Sequence, residues 1–312
     1  MYDYNTLCDK FLQYKNFLGY KYNTDKIVIK QIKEYLINNK VEKITKEVTE
    51  EYARLNKNLD SNTIARNMCV FREFCFYLRT QNIDCYQIPH KIYPQNHRNF
   101  IPYIFSHEEI LKMYKNLDKV NTSYHYSYYS QLVHPLIIKI LYQTGIRIGE
   151  LLDIKINDYN ENEGYFVLKN TKNEEERLIM LSDKLNNEIS LLHNKFHYNL
   201  NNNDIFFKTS HSSVVRYFYR LLDISNIKHK ENTPRIHDFR HTFVVHNFER
   251  TIKENKDINT LLPILKTHLG HQSINALLYY FHLTNNILSN INEISEKELG
   301  YLIPELEVFE DE

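Results

Sequence analysis

Apolar residues recur every three to four positions through most of the chain, the spacing of amphipathic helices. Leu7, Phe11, Tyr14 and Leu18 form one such stripe and predict a helix over 5–20 that ends near Gly19. Ile27, Ile29, Ile32, Tyr35 and Leu36 repeat the pattern over 24–38. A third helix is expected from Thr45 or Lys46 to Lys57. A fourth follows Asp60-Ser61, a good cap, with Ile64, Met68, Phe71, Phe74 or Cys75, and Leu78 turned inward. These four make a compact helical bundle. Residues 88–103 break the pattern with Pro89, Pro94 and Pro102, which predicts an extended linker and a domain boundary close to His97. The expected domains are therefore 1–97 and 98–312.

Beyond the linker, Ser106 and Glu109 form a capping box for a helix through ILKMYKNL. The polar, Tyr-rich segment 119–130 reads as a loop. Residues 131–143 form a strongly apolar helix ending at Thr144-Gly145, and Arg147 and Glu150 open the next. The period then changes. Residues 164–168 and 177–181 read as two strands joined by the polar hairpin 169–176. Helices resume over 182–199 and 212–222. Thr233-Pro234 predicts another start, because Thr caps free amides and Pro suits a first turn. Phe239, Phe243, Val244 and Phe248 would anchor that helix, which leads into the polar segment 251–260 and an aromatic run, INALLYYFHLT. The fold class is mainly α with a small β-sheet.

A hydrophobic content of 42% can furnish two real cores in 312 residues, which excludes a disordered chain. No run approaches the ~20 apolar residues of a membrane span. The start lacks a basic segment followed by an apolar one, so no secretory signal is expected and the location is expected to be cytoplasmic. Cys8, Cys69, Cys75 and Cys85 lack CxxC spacing and read as reduced core thiols. Net charge is zero, but this is an average over unlike parts. Residues 293–312 hold eight acids and one base, Lys297. The remaining chain thus carries 38 basic against 31 acidic residues, a net +7. A mildly basic body suits a DNA binder, since phosphate neutralisation needs a local positive surface. It suits an ordinary enzyme equally. Lys21, Lys26, Lys30, Lys33, Lys40, Lys43 and Lys46 cluster in the first part, as a solvated face or a DNA contact.

His237 and Arg240 lie three apart on one helix face, a proton acceptor beside a fixed cation. Alone, that segment is better read as a helix with a solvated Arg and a satisfied core His. Two other segments change this. TGIRIGELL at 144–152, HDFRH at 237–241 and LGHQSINALLYYFHL at 269–283 together resemble the tyrosine recombinases, or phage-type integrases, in order and spacing over roughly 104–284. The four-helix front end resembles that family's SAM-like core-binding domain.

The resemblance implies a catalytic set. Arg147 and Arg240 occupy the positions of the two arginines that grip non-bridging phosphate oxygens. His237 is the histidine placed to accept the nucleophile's proton, and His271 would donate to the phosphate. The family's tyrosine lies nine positions after the LGH histidine and is often followed by x-His, which favours Tyr280 over its neighbour Tyr279. A hairpin lysine should protonate the departing 5′ oxygen. Register from RLIML at 177–181 places it at Lys172, but the flanking residues hold no glycine, so Lys169 remains an alternative. Glu150 either orients Arg147 or forms a surface ion pair. His237 and His241 have zinc-binding spacing without a third ligand, so His241 is expected to pack locally.

The implied activity is transesterification of DNA through a 3′-phosphotyrosyl bond, without metal or cofactor. The implied partners are double-stranded DNA, clamped by the two domains, and a homotetramer in the synaptic complex, with a monomer or weak oligomer free. The longer segment between Arg240 and His271 resembles mobile-element integrases more than chromosome-dimer-resolving enzymes. A type IB topoisomerase and a catalytically silent DNA-binding accessory protein are the rivals.

Overall fold

The computed structural model describes residues 2–20, 22, 24–90, 102–121, 127–169, 176–197, 200–227 and 233–270. The chain divides into two compact units, 1–100 and 101–312.

The first unit is built from four helices: α1 (Tyr4–Phe17), α2 (Asp25–Asn38), α3 (Lys46–Leu55) and α4 (Ser61–Thr80). Three start on a side-chain cap, with Asp3, Thr45 and Asp60 accepting amides of the first turn. Their stripes close on a core of Phe11, Ile32, Leu36, Phe71, Phe74 and Leu78. Lys15 is drawn into this unit. Its ammonium lies 3.1 Å from Glu73 and sits over the rings of Phe11, Tyr20 and Tyr22. Cys8, Cys75 and Cys85 are buried free thiols, whereas Cys69 is exposed and belongs to no core, because it falls on the outer side of α4. Of the lysine cluster, Lys30 and Lys46 face acids one turn ahead on their own helices, and Lys43 pairs with Asp84 at 2.5 Å.

The second unit opens with α5 (His107–Asn116), whose capping box forms as the sequence indicates. A 3-10 turn over Leu117–Asn121 precedes α6 (Tyr128–Thr144). This helix starts three residues earlier than its apolar run, since Ser127 caps it, so the end of the Tyr-rich segment is helical. Then come α7 (Ile148–Leu152) and the strands β1 (Tyr159–Asn160), β2 (Tyr165–Leu168) and β3 (Arg177–Met180). They form one antiparallel sheet in the order β1-β2-β3, with Phe166 opposite Ile179. Two-residue β1 is too short for an alternation to reveal it. α8 (Asp183–Phe196), α9 (His211–Ile224), α10 (Asp238–Lys253) and α11 (Ile258–Leu269) complete the unit.

Two of these helices depart from expectation. α10 begins at Asp238, five residues after Thr233, because a turn intervenes. The Asp238 amide donates to Arg235 O and its carboxylate accepts the Arg235 amide at 2.7 Å. α11 covers the end of the expected polar segment 251–260 and the LPILKTHL stretch after it, to which the sequence pattern assigns no element. Pro263 sits inside it, but Asp257 caps its start and Gly270 ends it in the left-handed region. α11 packs its Ile258, Leu262, Leu265 and Leu269 on Val244, Val245 and Phe248 of α10. The larger core gathers Phe105, Ile137, Leu151, Phe166, Phe206, Phe218 and Phe239 beneath the sheet and helices. No helix among the described residues is long and apolar enough to cross a membrane.

Candidate active site

The site is assembled from three turns. The first follows α6, which ends on Gly145 at φ +62. A Cβ there would lie 2.6 Å from the Phe243 ring, so both conformation and space demand glycine. Arg147 then takes the cap position of α7. Its amide donates to Glu150 Oε2 at 3.2 Å and its guanidinium to Glu150 Oε1 at 2.7 Å.

Glu150 also accepts from Arg177 Nη2 at 2.6 Å. Arg177 is 5% exposed at the start of β3, and its Nε donates to His268 O at 2.9 Å. Burial alone would push the Glu150 carboxyl up, but the guanidiniums of Arg177 and Arg147 outweigh it and hold it below its ordinary value. One carboxylate therefore spaces two cations and ties the α6–α7 turn to β3. Glu150 orients Arg147, the first of the two alternatives its sequence position left open.

The second turn opens α10. Arg240 is 2% exposed. Its Nη1 donates to Gly145 O at 3.0 Å and its Nη2 to Leu269 O at 2.7 Å. A single guanidinium thus joins the TGIR segment to the third turn, at the end of α11. His268 repeats the link: its Nε2 lies 2.7 Å from Thr144 O, which accepts only, so this nitrogen carries the proton. The His268 ring stacks on Phe243 at 26°.

His237 precedes α10 and is exposed at the surface. The protein atoms crowded around it, and then the charges of Arg240, Arg147 and Arg235, push its pKa down to about 4. The ring is consequently neutral near pH 7, as a proton acceptor must be. His241 stands edge-on to His237 at 5.1 Å and 4.0 Å from Asp238 Oδ1, a local packing partner.

The structure thus brings Arg147, His237 and Arg240 into one electrostatic cluster. Lys172, His271, Tyr279 and Tyr280 lie outside the described residues. Lys169, the alternative to Lys172, follows β2 and is held by the buried Asp158 carboxylate at 2.7 Å, which raises its pKa. Two members were not anticipated. Arg177 served only to fix register, although a charged residue at an inward strand position, alternating with exposed Leu178, was a legible signal. His268 carried none.

Residues 104–286 match the Phage integrase family. A probable integrase/recombinase protein of Methanocaldococcus jannaschii is 30% identical over 159 residues, 47% of this chain and 44% of that protein. The chain therefore spans less than half the length of that relative. Among solved structures, the XerH site-specific recombinase bound to palindromic difH substrate is similar at a TM-score of 0.64 and 21% identity, over 95% of this chain and 85% of that one. The Tn1549 transposon integrase in complex with transposon right end DNA gives 0.60 and 16%, over 94% and 99%. At those identities the likeness is one of fold. The matched span holds all three turns that meet at Arg240, and the chain belongs to the phage integrase family, the tyrosine recombinases.

Proposed function

We propose that this chain is a site-specific DNA recombinase that integrates or excises a mobile element. What carries the reading is Arg240: its two carbonyl bonds hold the segments of Arg147 and of the LGH motif against its own. In the proposed reaction Tyr280 attacks a scissile phosphate and forms a 3′-phosphotyrosyl bond. The departing 5′ oxygen takes a proton from Lys172, and Tyr280 gives its own to His237. Arg147 and Arg240 offset the charge that builds on the non-bridging oxygens, and His271 donates to one of them. The bond energy is kept, so a 5′-hydroxyl of a partner strand reverses the step and reseals the DNA. Four such sites acting on two duplexes make the working form a homotetramer. Residues 1–97 add duplex contact, and the protein acts in the cytoplasm.

The test is a nicked duplex carrying the junctions that flank the encoding element, on which cleavage cannot be reversed. Wild-type protein is expected to form a covalent adduct, Tyr280→Phe none, and Tyr279→Phe an adduct still. No adduct with wild type would refute the enzyme reading, and the reverse pattern would move the nucleophile by one residue. Relaxation of supercoils without strand exchange between two sites would favour a topoisomerase instead.

A further inference from the structure

A second cluster of ionisable side chains lies farther along α10, and the proposed chemistry makes no use of it. His107 opens α5, while His246 and Glu249 are three apart on α10 and so share a face. His107 Nε2 lies 3.0 Å from Glu249 Oε2. The imidazoles of His107 and His246 stack, with centroids 3.9 Å apart and planes 20° apart. One ligand atom from each of the three residues falls within 4.8 Å of the other two. The Tyr142 hydroxyl holds His246 Nδ1 at 3.1 Å, and the Phe105 backbone also interacts with the imidazole, so the ring is fixed from two sides. Such supporting bonds are what metal-binding histidines usually have.

We propose that His107, His246 and Glu249 form a binding site for a transition-metal dication, and that zinc suits it best. Two imidazoles and a carboxylate make a set that zinc takes with a fourth position left open, whereas magnesium and calcium prefer oxygen alone. Ligand atoms around tetrahedral zinc stand about 3.3 Å apart, given bonds of ~2.0–2.1 Å. The cluster must therefore close slightly. His107 supplies the movement, because its side chain is 56% exposed and can turn out of its stack. Tyr142, His107 and His246 line a cleft of about 760 Å³, which leaves the open position accessible to water. Arg250, on the same cleft, is turned onto Asn247 Oδ1 at 2.8 Å. A bound ion would clip the first turn of α5 to α10, the helix that begins beside His237.

The test uses the tag-free full chain, stripped with a chelator and then titrated with zinc chloride by calorimetry and with cobalt chloride by visible absorption. One equivalent of zinc is expected to bind and to raise the melting temperature. Cobalt should give the bands of a four-coordinate nitrogen–oxygen site. His107→Asn and Glu249→Gln should each weaken binding by about tenfold or more, with helical content retained by circular dichroism. His241→Asn should leave it unchanged. Absence of stoichiometric binding, binding that survives both ligand substitutions, or a thiolate charge-transfer band that places the ion on Cys69 would each overturn the proposal.

Discussion

Arg177→Met separates the network around Glu150 from the rest of the fold. The guanidinium is 5% exposed and its carboxylate partner 13% exposed, so neither charge is well screened by solvent. Removing one partner from a buried ion pair costs roughly 3–5 kcal/mol, because the remaining charge stays buried. Here Glu150 keeps Arg147, which is 33% exposed and so a weaker counter-ion. The His268 carbonyl also loses its Nε donor, about 1 kcal/mol or more. These costs overlap, and a loss of about 3–4 kcal/mol is expected. Urea unfolding of the full chain, followed by two probes to separate the units, measures it. A cycle with Glu150→Gln should show coupling of about 1.5 kcal/mol or more. The pH response has a definite sign. Glu150 titrates below its ordinary value of 4.5, so its contribution is present above that pH and lost as pH falls through the lowered pKa. Glu150→Gln should flatten that acid limb. A loss below about 1 kcal/mol for Arg177→Met, or strict additivity in the cycle, would refute the reasoning.

His237 ionises at about 4 in the fold against ~6.5 unfolded, so it disfavours the folded state as pH drops through that window. Cleavage measured at subsaturating DNA should accordingly hold its rate well below pH ~6.5, and a limb centred at the ordinary value would contradict the site. Gly145→Ala should cost at least about 2 kcal/mol by thermal unfolding, from the left-handed backbone and the displaced Phe243 ring. Ser106→Ala removes one half of the α5 capping box and should cost about 1 kcal/mol, without altering DNA cleavage.

The helices were legible where one face stays apolar for three turns, as in α1, α2 and α4, and where a cap marks the start, as at Ser106. α11 was not, because Pro263 reads as a breaker even though it stands in a helix whose Ile258, Leu262, Leu265 and Leu269 share a core with α10. The onset of α10 was misplaced for a related reason. Thr233-Pro234 is a valid start signal, and the Asp238 carboxylate overrides it by closing a turn on Arg235. The site divides the same way. Arg147, His237 and Arg240 stand in short contiguous motifs, TGIRIGELL and HDFRH, that carry the resemblance to the tyrosine recombinases. Arg177 and His268 act through contacts 27 and 124 residues away, on Glu150 and Thr144, and no local pattern records such partners.

The two arginines assigned to the phosphate do unequal work in the fold. Arg147 is held by its own helix: Glu150, three residues on, supplies its carboxylate, and a third of its side chain meets solvent. Losing its guanidinium leaves Glu150 paired with Arg177 alone. Arg240 is buried and spends two N–H groups on carbonyls 95 and 29 residues away. A guanidinium offers a planar fork that reaches both at once, whereas an ammonium is a point donor on a flexible stem. Arg240→Lys therefore loosens the junction of three turns before any phosphate arrives, and its effect on cleavage mixes stability with chemistry. Arg147→Lys leaves both Arg240 carbonyl bonds in place and is expected to disturb the junction less. The asymmetry also explains why the second arginine sits at the start of a helix with a buried flank. Phe239 packs in the larger core of the second unit and Val244 against α11, and this mounting holds the start of α10, with Arg240, in place.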